Sequence, residues 1–137
     1  MDGLGRVFNV LPVADDVYVS LRDASAVTFV CVNTGGDTYT LTEAKDAAGT
    51  SAAVLATMAD FYISATVGAV WAKVTHAAAS TIVPTASQDV AVITVSAAEL
   101  SATFDWVKLT SSSTGTVVAI LHDLTVQRKP ENLPALV

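Results

Sequence analysis

FDWVKLTS (104–111), SSTG (112–115) and TVVAILHDLTV (116–126) follow one another in the last third of the chain, before the terminal QRKPENLPALV (127–137). Two runs rich in β-branched and aromatic residues flank a Ser/Thr/Gly turn, which is the pattern of a β-hairpin. Pro130 and Pro134 lack the N–H group that a central strand donates. We therefore predict a closing hairpin over 104–126 and an extended C-terminal arm over 127–137.

The second run of this hairpin is apolar at successive positions up to Leu121. A strand with one face in water alternates apolar and polar residues, whereas a strand covered on both faces does not. The run is therefore predicted to be a central strand covered on both sides.

The first half of the chain carries similar signals. Residues 6–11 suit a short edge strand that Pro12 ends, and 17–21 alternates as a half-buried strand does. The apolar run 27–33 suits a central strand, and the Asn-Thr-Gly-Gly-Asp sequence at 33–37 turns the chain. The alternating TYTLTE (38–43) is predicted to be the second strand of that hairpin.

The middle of the chain is less regular. Residues 51–59 favour one or two helical turns, because Ala, Leu and Met propagate a helix and Ser51 could cap it. Runs 61–67 and 69–76 are strand-like around a bend at Gly68, with Val67 and Trp71 as core anchors, and 90–95 is a short strand. Loops are expected over 44–50 and 77–88.

About nine short strands with turn signals between them indicate an all-β, single-domain antiparallel β-sandwich or barrel-like fold. The domain is assigned to residues 1–126, with room for one short helix, and the arm to 127–137. The length of 137 residues suits one domain, and 52% hydrophobic against 15% charged residues excludes a disordered chain.

Charge and hydropathy exclude several partners. The net charge is −6, and the seven basic residues are spread along the chain, so neither nucleic acid nor an anionic membrane surface is an expected partner. No apolar window reaches the length of a membrane span, and no secretory signal begins the sequence, so synthesis is expected in the cytoplasm. The single Cys31 is predicted to be buried and unreactive.

No catalytic constellation is recognisable, so we predict that the chain is not an enzyme. His76 and His122 have no metal-ligand spacing, and His122 and Asp123 are adjacent on a strand, which points their side chains to opposite faces. Asp15, Asp16 and Asp60 are not arranged as in a calcium loop. No catalytic residue, metal ligand or cofactor site is therefore assigned.

The aromatic residues Trp71, Trp106, Tyr39 and Tyr62 suit either a sugar-stacking platform or core packing, and core packing is favoured. The terminal segment offers a clearer partner-binding prediction, because it combines a basic pair with apolar anchors and two prolines that limit the entropy lost on docking. A disordered terminus is the alternative. The predicted contact residues are Arg128, Lys129, Pro130, Leu133, Pro134 and Leu136.

Two stretches, GGDTYTLTEAKDAAG (35–49) and FDWVKLTSSSTGTVVAILHDLTVQRKPENLPA (104–135), resemble small minor capsid proteins of tailed bacteriophages, the decoration or cement proteins of the icosahedral head. The resemblance implies a β-rich, homo-oligomeric virion protein. It would bind the major capsid protein on the outer capsid surface and stabilise the expanded shell. The alternatives are another virion structural β-protein, such as a tail-tube or adaptor subunit, and a glycan- or receptor-binding β module.

Overall fold

In a computed structural model the chain forms two antiparallel β-sheets packed face to face. The structure describes residues 3–5, 7–32, 35–66, 68–86, 88–113 and 115–133. The larger sheet has six strands. In spatial order they are β1 (Phe8–Leu11), β11 (Thr116–Leu124), β3 (Ala24–Val32), β9 (Val90–Ser96), β6 (Met58–Ser64) and β7 (Ala72–Ala79).

The smaller sheet has five strands. They are β2 (Val19–Ser20), β10 (Trp106–Ser111), β4 (Tyr39–Ala44) and β5 (Ala53–Val54) in spatial order, with β8 (Thr81–Ile82) also paired to β4. Two short 3-10 turns, Ala97–Glu99 and Pro130–Asn132, complete the regular structure of the described residues. The predicted all-β, single-domain fold is confirmed. No described helix is both long and apolar enough to cross a bilayer.

The core lies between the two sheets and follows the two-residue period of the strands. Val27, Phe29 and Cys31 of β3 point inward, while Leu41 of β4 and Leu109 of β10 meet them from the smaller sheet. Burial, and to a smaller extent the nearby Asp15 carboxylate, raises the pKa of the Cys31 thiol to about 12, which keeps it protonated at neutral pH. The prediction that Cys31 is buried is confirmed.

Both predicted hairpins are wrong, because each turn carries the chain from one sheet to the other. Strand β3 belongs to the larger sheet and β4 to the smaller one, and the same change of sheet separates β10 from β11. Instead of pairing along the chain, β3 pairs with β11 over eight residue positions, and β4 pairs with β10 over six. A Gly-containing turn permits either connection, so the local sequence does not distinguish them.

A buried carboxylate ties the two sheet crossings together. Asp37, which is 7% exposed, accepts hydrogen bonds from the Ser111 hydroxyl at 3.0 Å and from the Gly115 backbone N–H at 3.2 Å. Beside it, the Thr38 N–H donates to the Ser112 hydroxyl, and the Ser112 N–H donates to the Thr38 carbonyl. A Cβ atom at Gly115 would lie 2.5 Å from the Tyr39 hydroxyl, so the close approach of the crossings requires glycine there.

Strand β11 is interior to its sheet, but the prediction that it is covered on both faces is wrong. Val117, Ala119 and Leu121 face the core, whereas Val118 and Ile120 point away from it and stay partly exposed. The described part of the chain adds no third layer outside the six-stranded sheet.

Two further local predictions are wrong. Residues 51–59 form no helix: Ala53–Val54 pairs with β4, and Ser51 has a φ of 59°, which is not the extended conformation of an N-cap. Trp71 is 50% exposed and is no core anchor, while Val67 lies outside the described residues. The 77–88 segment, predicted to be a loop, contains the end of β7 and all of β8.

Other strand predictions are confirmed, although several boundaries shift. Strand β1 is an edge strand that ends at Leu11, before Pro12, and β9 covers the predicted run 90–95. The half-buried run 17–21 forms a strand only over Val19–Ser20. Strand β3 is central, as its apolar run indicated.

Replacing Asp37 by Ala should destabilise the fold, because it leaves the buried Gly115 N–H without its acceptor. We expect a loss of about 1–3 kcal/mol in the free energy of unfolding, the usual cost of an unsatisfied buried polar group. Urea denaturation of Asp37→Ala measures it, with the exposed Glu131→Ala as the control. Equal stability of the two variants would contradict the role given to Asp37.

Candidate functional site

The outer face of the six-stranded sheet is apolar at its centre. In the strand register Val10 lies opposite Ile120, Val118 opposite Val30, and Val30 opposite Val92. These side chains alternate with the core-facing ones, so they share the outward face. We call this surface the apolar face. It comprises Phe8, Val10, Val30, Val92, Val118, Ile120 and Tyr62.

The apolar face is accessible. Its five aliphatic members are partly exposed, and the two aromatic ones, Phe8 and Tyr62, are 37% and 47% exposed. An antiparallel sheet with one face in water normally presents polar residues there. A contiguous exposed apolar patch is a mark of an interaction surface, whereas single exposed apolar residues are ordinary.

The outer face of the smaller sheet is different. Its outward positions carry hydroxyl and charged groups, including Thr40, Thr42, Lys108 and Thr110. Lys108 lies 2.7 Å from an Asp16 carboxylate oxygen and 4.7 Å from the centre of the Tyr18 ring. The outer face of the smaller sheet is thus the more polar of the two, although Trp106 and the 64% exposed Val54, which lies opposite Thr42, are also on it.

Polar side chains interrupt the apolar face next to Ile120 and form a hydrogen-bonded network. The His122 ring bonds the Asp123 carboxylate through Nδ1 and the Thr28 hydroxyl through Nε2, both at 2.9 Å, and Thr28 bonds the Thr94 hydroxyl at 2.9 Å. The prediction that His122 and Asp123 point to opposite faces is wrong. Asp123 has a φ of 53°, and this left-handed conformation brings its carboxylate beside the preceding ring.

This hydrogen-bonded network has the order carboxylate, imidazole and hydroxyl, which also occurs in hydrolases. Acyl transfer additionally needs N–H donors for the developing oxyanion. Thr28 lies in the middle of β3, with Ile120 opposite on β11 and Thr94 opposite on β9. The backbone N–H groups around Thr28 therefore take part in pairing with these two strands. The arrangement fits a rigid polar anchor within a docking surface better than a nucleophile.

The acidic residues considered for a cation have separate partners. Asp15 accepts from the last backbone N–H of β10 at 2.7 Å, Asp16 pairs with Lys108, and Asp60 pairs with Lys73 at 3.0 Å. Hydrogen bonding to the lysine is the largest cause that lowers the pKa of each of the last two carboxyl groups. Among the described residues no three His, Cys, Asp or Glu side chains converge as metal ligands.

The four aromatic residues considered for sugar stacking do not form a platform. Tyr39 is fully buried, Tyr62 belongs to the apolar face, and Trp106 lies on the outward side of β10 under the Arg22 guanidinium. Trp71 precedes the edge strand β7.

The C-terminal segment packs against the N-terminal segment of the same chain. The Arg128 N–H donates to the Gly5 carbonyl at 2.8 Å, and a Cβ atom at Gly5 would lie 2.5 Å from the Arg128 carbonyl oxygen. The side chains of Arg128, Lys129 and Pro130 are exposed, and Leu133 is partly buried. The other two predicted contact residues, Pro134 and Leu136, lie outside the described residues.

Searches with the sequence and the structure against protein-family models, curated proteins and solved structures find no match. The candidate surface is therefore defined by its own geometry.

Sequence reasoning did not assign the apolar face, although a signal was present: the apolar residues on both faces of 116–121 indicated a cover on the outer side of β11.

Replacing Gly5 by Ala should loosen the C-terminal segment, because Gly5 has a φ of 88° and its Cβ position is occupied by the Arg128 carbonyl. The left-handed conformation alone costs a non-glycine residue about 1–2 kcal/mol. We expect a lower free energy of unfolding and faster trypsin cleavage after Arg128. Gly35→Ala is the control, since nothing lies within 4 Å of its Cβ position; equal cleavage rates of the two variants would refute the contact.

Proposed function

We propose that the chain is a structural virion protein that binds the outer surface of an icosahedral phage head and stabilises the expanded shell. The observation that carries the proposal is the apolar face, because a molecule with one polar and one apolar outer face is suited to dock through the apolar one. The type of partner comes from the resemblance of 35–49 and 104–135 to head decoration proteins.

Docking through the apolar face would draw on apolar burial, at about 25 cal/mol for each Å² removed from water. Part of that gain offsets the translational and rotational freedom lost on binding. The separate cost of ordering side chains at the interface is small here, because Val10, Ile120, Val118, Val30 and Val92 are β-branched and have little rotamer freedom to lose.

Shell stabilisation follows from binding alone. A protein that binds the expanded shell and not its precursor lowers the free energy of the expanded form. Many equivalent contacts on one closed shell add up, and in a homo-oligomer of the chain each subunit would strengthen the attachment of the others. No catalytic step or cofactor enters this mechanism.

The C-terminal segment is proposed as a second contact. Arg128 and Lys129 are adjacent exposed cations on a chain of net charge −6, so they provide a local site for an acidic surface. The bond between the Arg128 N–H and the Gly5 carbonyl fixes where this basic pair leaves the domain.

Two alternatives have observations of their own. A self-assembling tail-tube or adaptor subunit is favoured by β7, an edge strand of the larger sheet that can pair with another chain. A glycan- or receptor-binding module is favoured by the exposed Trp71, which lies beside the 91% exposed Val70.

Co-sedimentation with undecorated expanded heads tests the proposed function. We expect the wild-type chain to bind at a fixed ratio to the major capsid protein. Ile120→Lys and Val92→Lys place charge on the apolar face and should each weaken binding at least about tenfold, which corresponds to about 1.4 kcal/mol. Thr42→Lys, on the outer face of the smaller sheet, is the matched control and should bind as the wild type does.

These results test the head-decoration function and the choice of docking surface separately. Absence of wild-type binding would contradict the head-decoration function. Wild-type binding that survives both apolar-face variants, while Thr42→Lys abolishes it, would assign docking to the other sheet. Sedimentation velocity of the free protein is run alongside, because dissociation of an oligomer by the two apolar-face variants alone would show that a second copy covers this face.

A further inference from the structure

The larger sheet has an open edge at β7. This strand is eight residues long, lies at the end of the strand order beside β6, and is exposed at five of its eight positions. In the described part of the chain, no backbone hydrogen bond joins β7 to a segment other than β6. The N–H and C=O groups that point away from β6 are therefore available to a further strand.

The opposite edge of the same sheet is shorter and partly covered. Strand β1 has four residues, and the Gly5 N–H donates to the Phe8 carbonyl at 3.0 Å in a turn that bridges Leu4 to Phe8. This turn occupies the start of β1. Strand β7 is thus the edge with the longer run of available backbone groups.

Exposed apolar side chains lie at both ends of β7. Val70 and Trp71 precede the strand and are 91% and 50% exposed, and Val83, which follows β8, is 57% exposed. Val83 borders an open groove of about 260 Å³ that Phe61 and Ile82 also line. None of the three exposed residues belongs to the apolar face, so docking on a shell through that face leaves them uncovered.

Strand β7 has little of the protection that natural edge strands usually have, which is charge, proline, a bulge or a cover. Its one charged residue, Lys73, is paired with Asp60 at 3.0 Å. It does have a bulge, because Asp60 lies opposite Thr75 whereas Met58 lies opposite Ala79. The bulge leaves two residues of β7 without a partner in β6, which adds to the unpaired backbone groups of this edge.

Antiparallel pairing of β7 with the same strand of a second copy keeps the charges apart. Full-length pairing of residues 72–79 sets Ala72 opposite Ala79 and Lys73 opposite Ala78. The two lysines are then five residues apart along the strands, which is about 17 Å. Exposed charges at that distance are largely screened at physiological salt, where the Debye length is about 8 Å. A parallel pair in register would instead set the two lysines side by side.

The same register covers the apolar residues at both ends of the strand. Continued beyond β7, it brings Trp71 beside Ser80 and Val70 beside Thr81 of the second copy. Val70 and Trp71 of each copy then lie next to the groove and Val83 of the other. Both copies use the same surface, as a two-fold symmetric dimer requires.

We propose that β7 pairs with β7 of a second copy of this chain, antiparallel about a two-fold axis between Thr75 and His76. The two six-stranded sheets then form one continuous sheet, with main-chain hydrogen bonds across the junction. The contact supplies the homo-oligomer expected of a decoration protein. It does not use the apolar face, and it does not depend on the head-decoration function.

Sedimentation velocity of the free protein over a concentration series tests the proposal. We expect a monomer–dimer equilibrium for the wild-type chain. A protein that stays monomeric at all concentrations, or that forms rings or open filaments in place of a closed dimer, would overturn the proposal.

Variants at Ala78 test the register. Ala78→Lys sets a positive charge opposite Lys73 of the second copy and should weaken dimerisation at least about tenfold. Ala78→Glu sets a negative charge there and should dimerise more tightly than Ala78→Lys. Ala53→Lys, at an exposed alanine of the edge strand β5 in the smaller sheet, is the matched control and should dimerise as the wild type does. Equal weakening by Ala78→Lys and Ala53→Lys would contradict the assignment.

Hydrogen exchange of the backbone amides locates the contact. At concentrations that favour the dimer, the amides of β7 should exchange more slowly than in Ala78→Lys, and slower exchange in β1 alone would overturn the assignment. Ile120→Lys, on the apolar face, should retain the dimer, so a failure of head binding and a failure of the edge contact are distinguishable. Loss of the dimer in Ile120→Lys but not in Ala78→Lys would also overturn the proposal.

Discussion

The Asp37 carboxylate stabilises the point at which the chain changes sheets twice. It accepts hydrogen bonds from the Ser111 hydroxyl and the Gly115 N–H, which are more than 70 residues away in sequence. Both donors belong to the second crossing, Ser111 at the end of β10 and Gly115 in the turn that follows. A buried carboxylate is stable only where hydrogen bonds replace its water, so these donors and Asp37 depend on one another. The two crossings are therefore held side by side.

The pairing of the central strands accompanies this arrangement of the crossings. With the crossings adjacent, β3 and β11 lie together in the larger sheet, and β4 and β10 lie together in the smaller one. Two strongly apolar runs of the chain, 27–32 and 116–121, thus become neighbours. Each has apolar side chains on both faces, and the sandwich covers only one face. The apolar face is a direct consequence of this pairing.

The sequence predicted the class of fold better than its connectivity. Two-residue alternation in runs such as 38–43 depends on burial against a core, and it located most strands correctly. A hairpin and a sheet crossing place the same residue types in the turn, so only contacts distant in sequence could separate them. The Ala, Leu and Met residues of 51–59 favoured a helix, but the pairing of Ala53–Val54 with β4 overrode that weak preference.

The functional features were less predictable than the strands. Strand alternation predicted that His122 and Asp123 point to opposite faces. The left-handed φ of Asp123 instead brings the two side chains into hydrogen-bond contact. The terminal segment could be recognised by its composition, but its bond to Gly5 could not.

The central claim is that the partner covers the apolar face, and hydroxyl-radical footprinting on expanded heads tests it directly. Phe8 and Tyr62 are reactive, exposed members of that face, while Trp106 reports on the opposite face of the molecule. We expect binding to the heads to reduce oxidation of Phe8 and Tyr62 and to leave Trp106 unchanged. Protection of Trp106 with unchanged oxidation of Phe8 and Tyr62 would contradict the account.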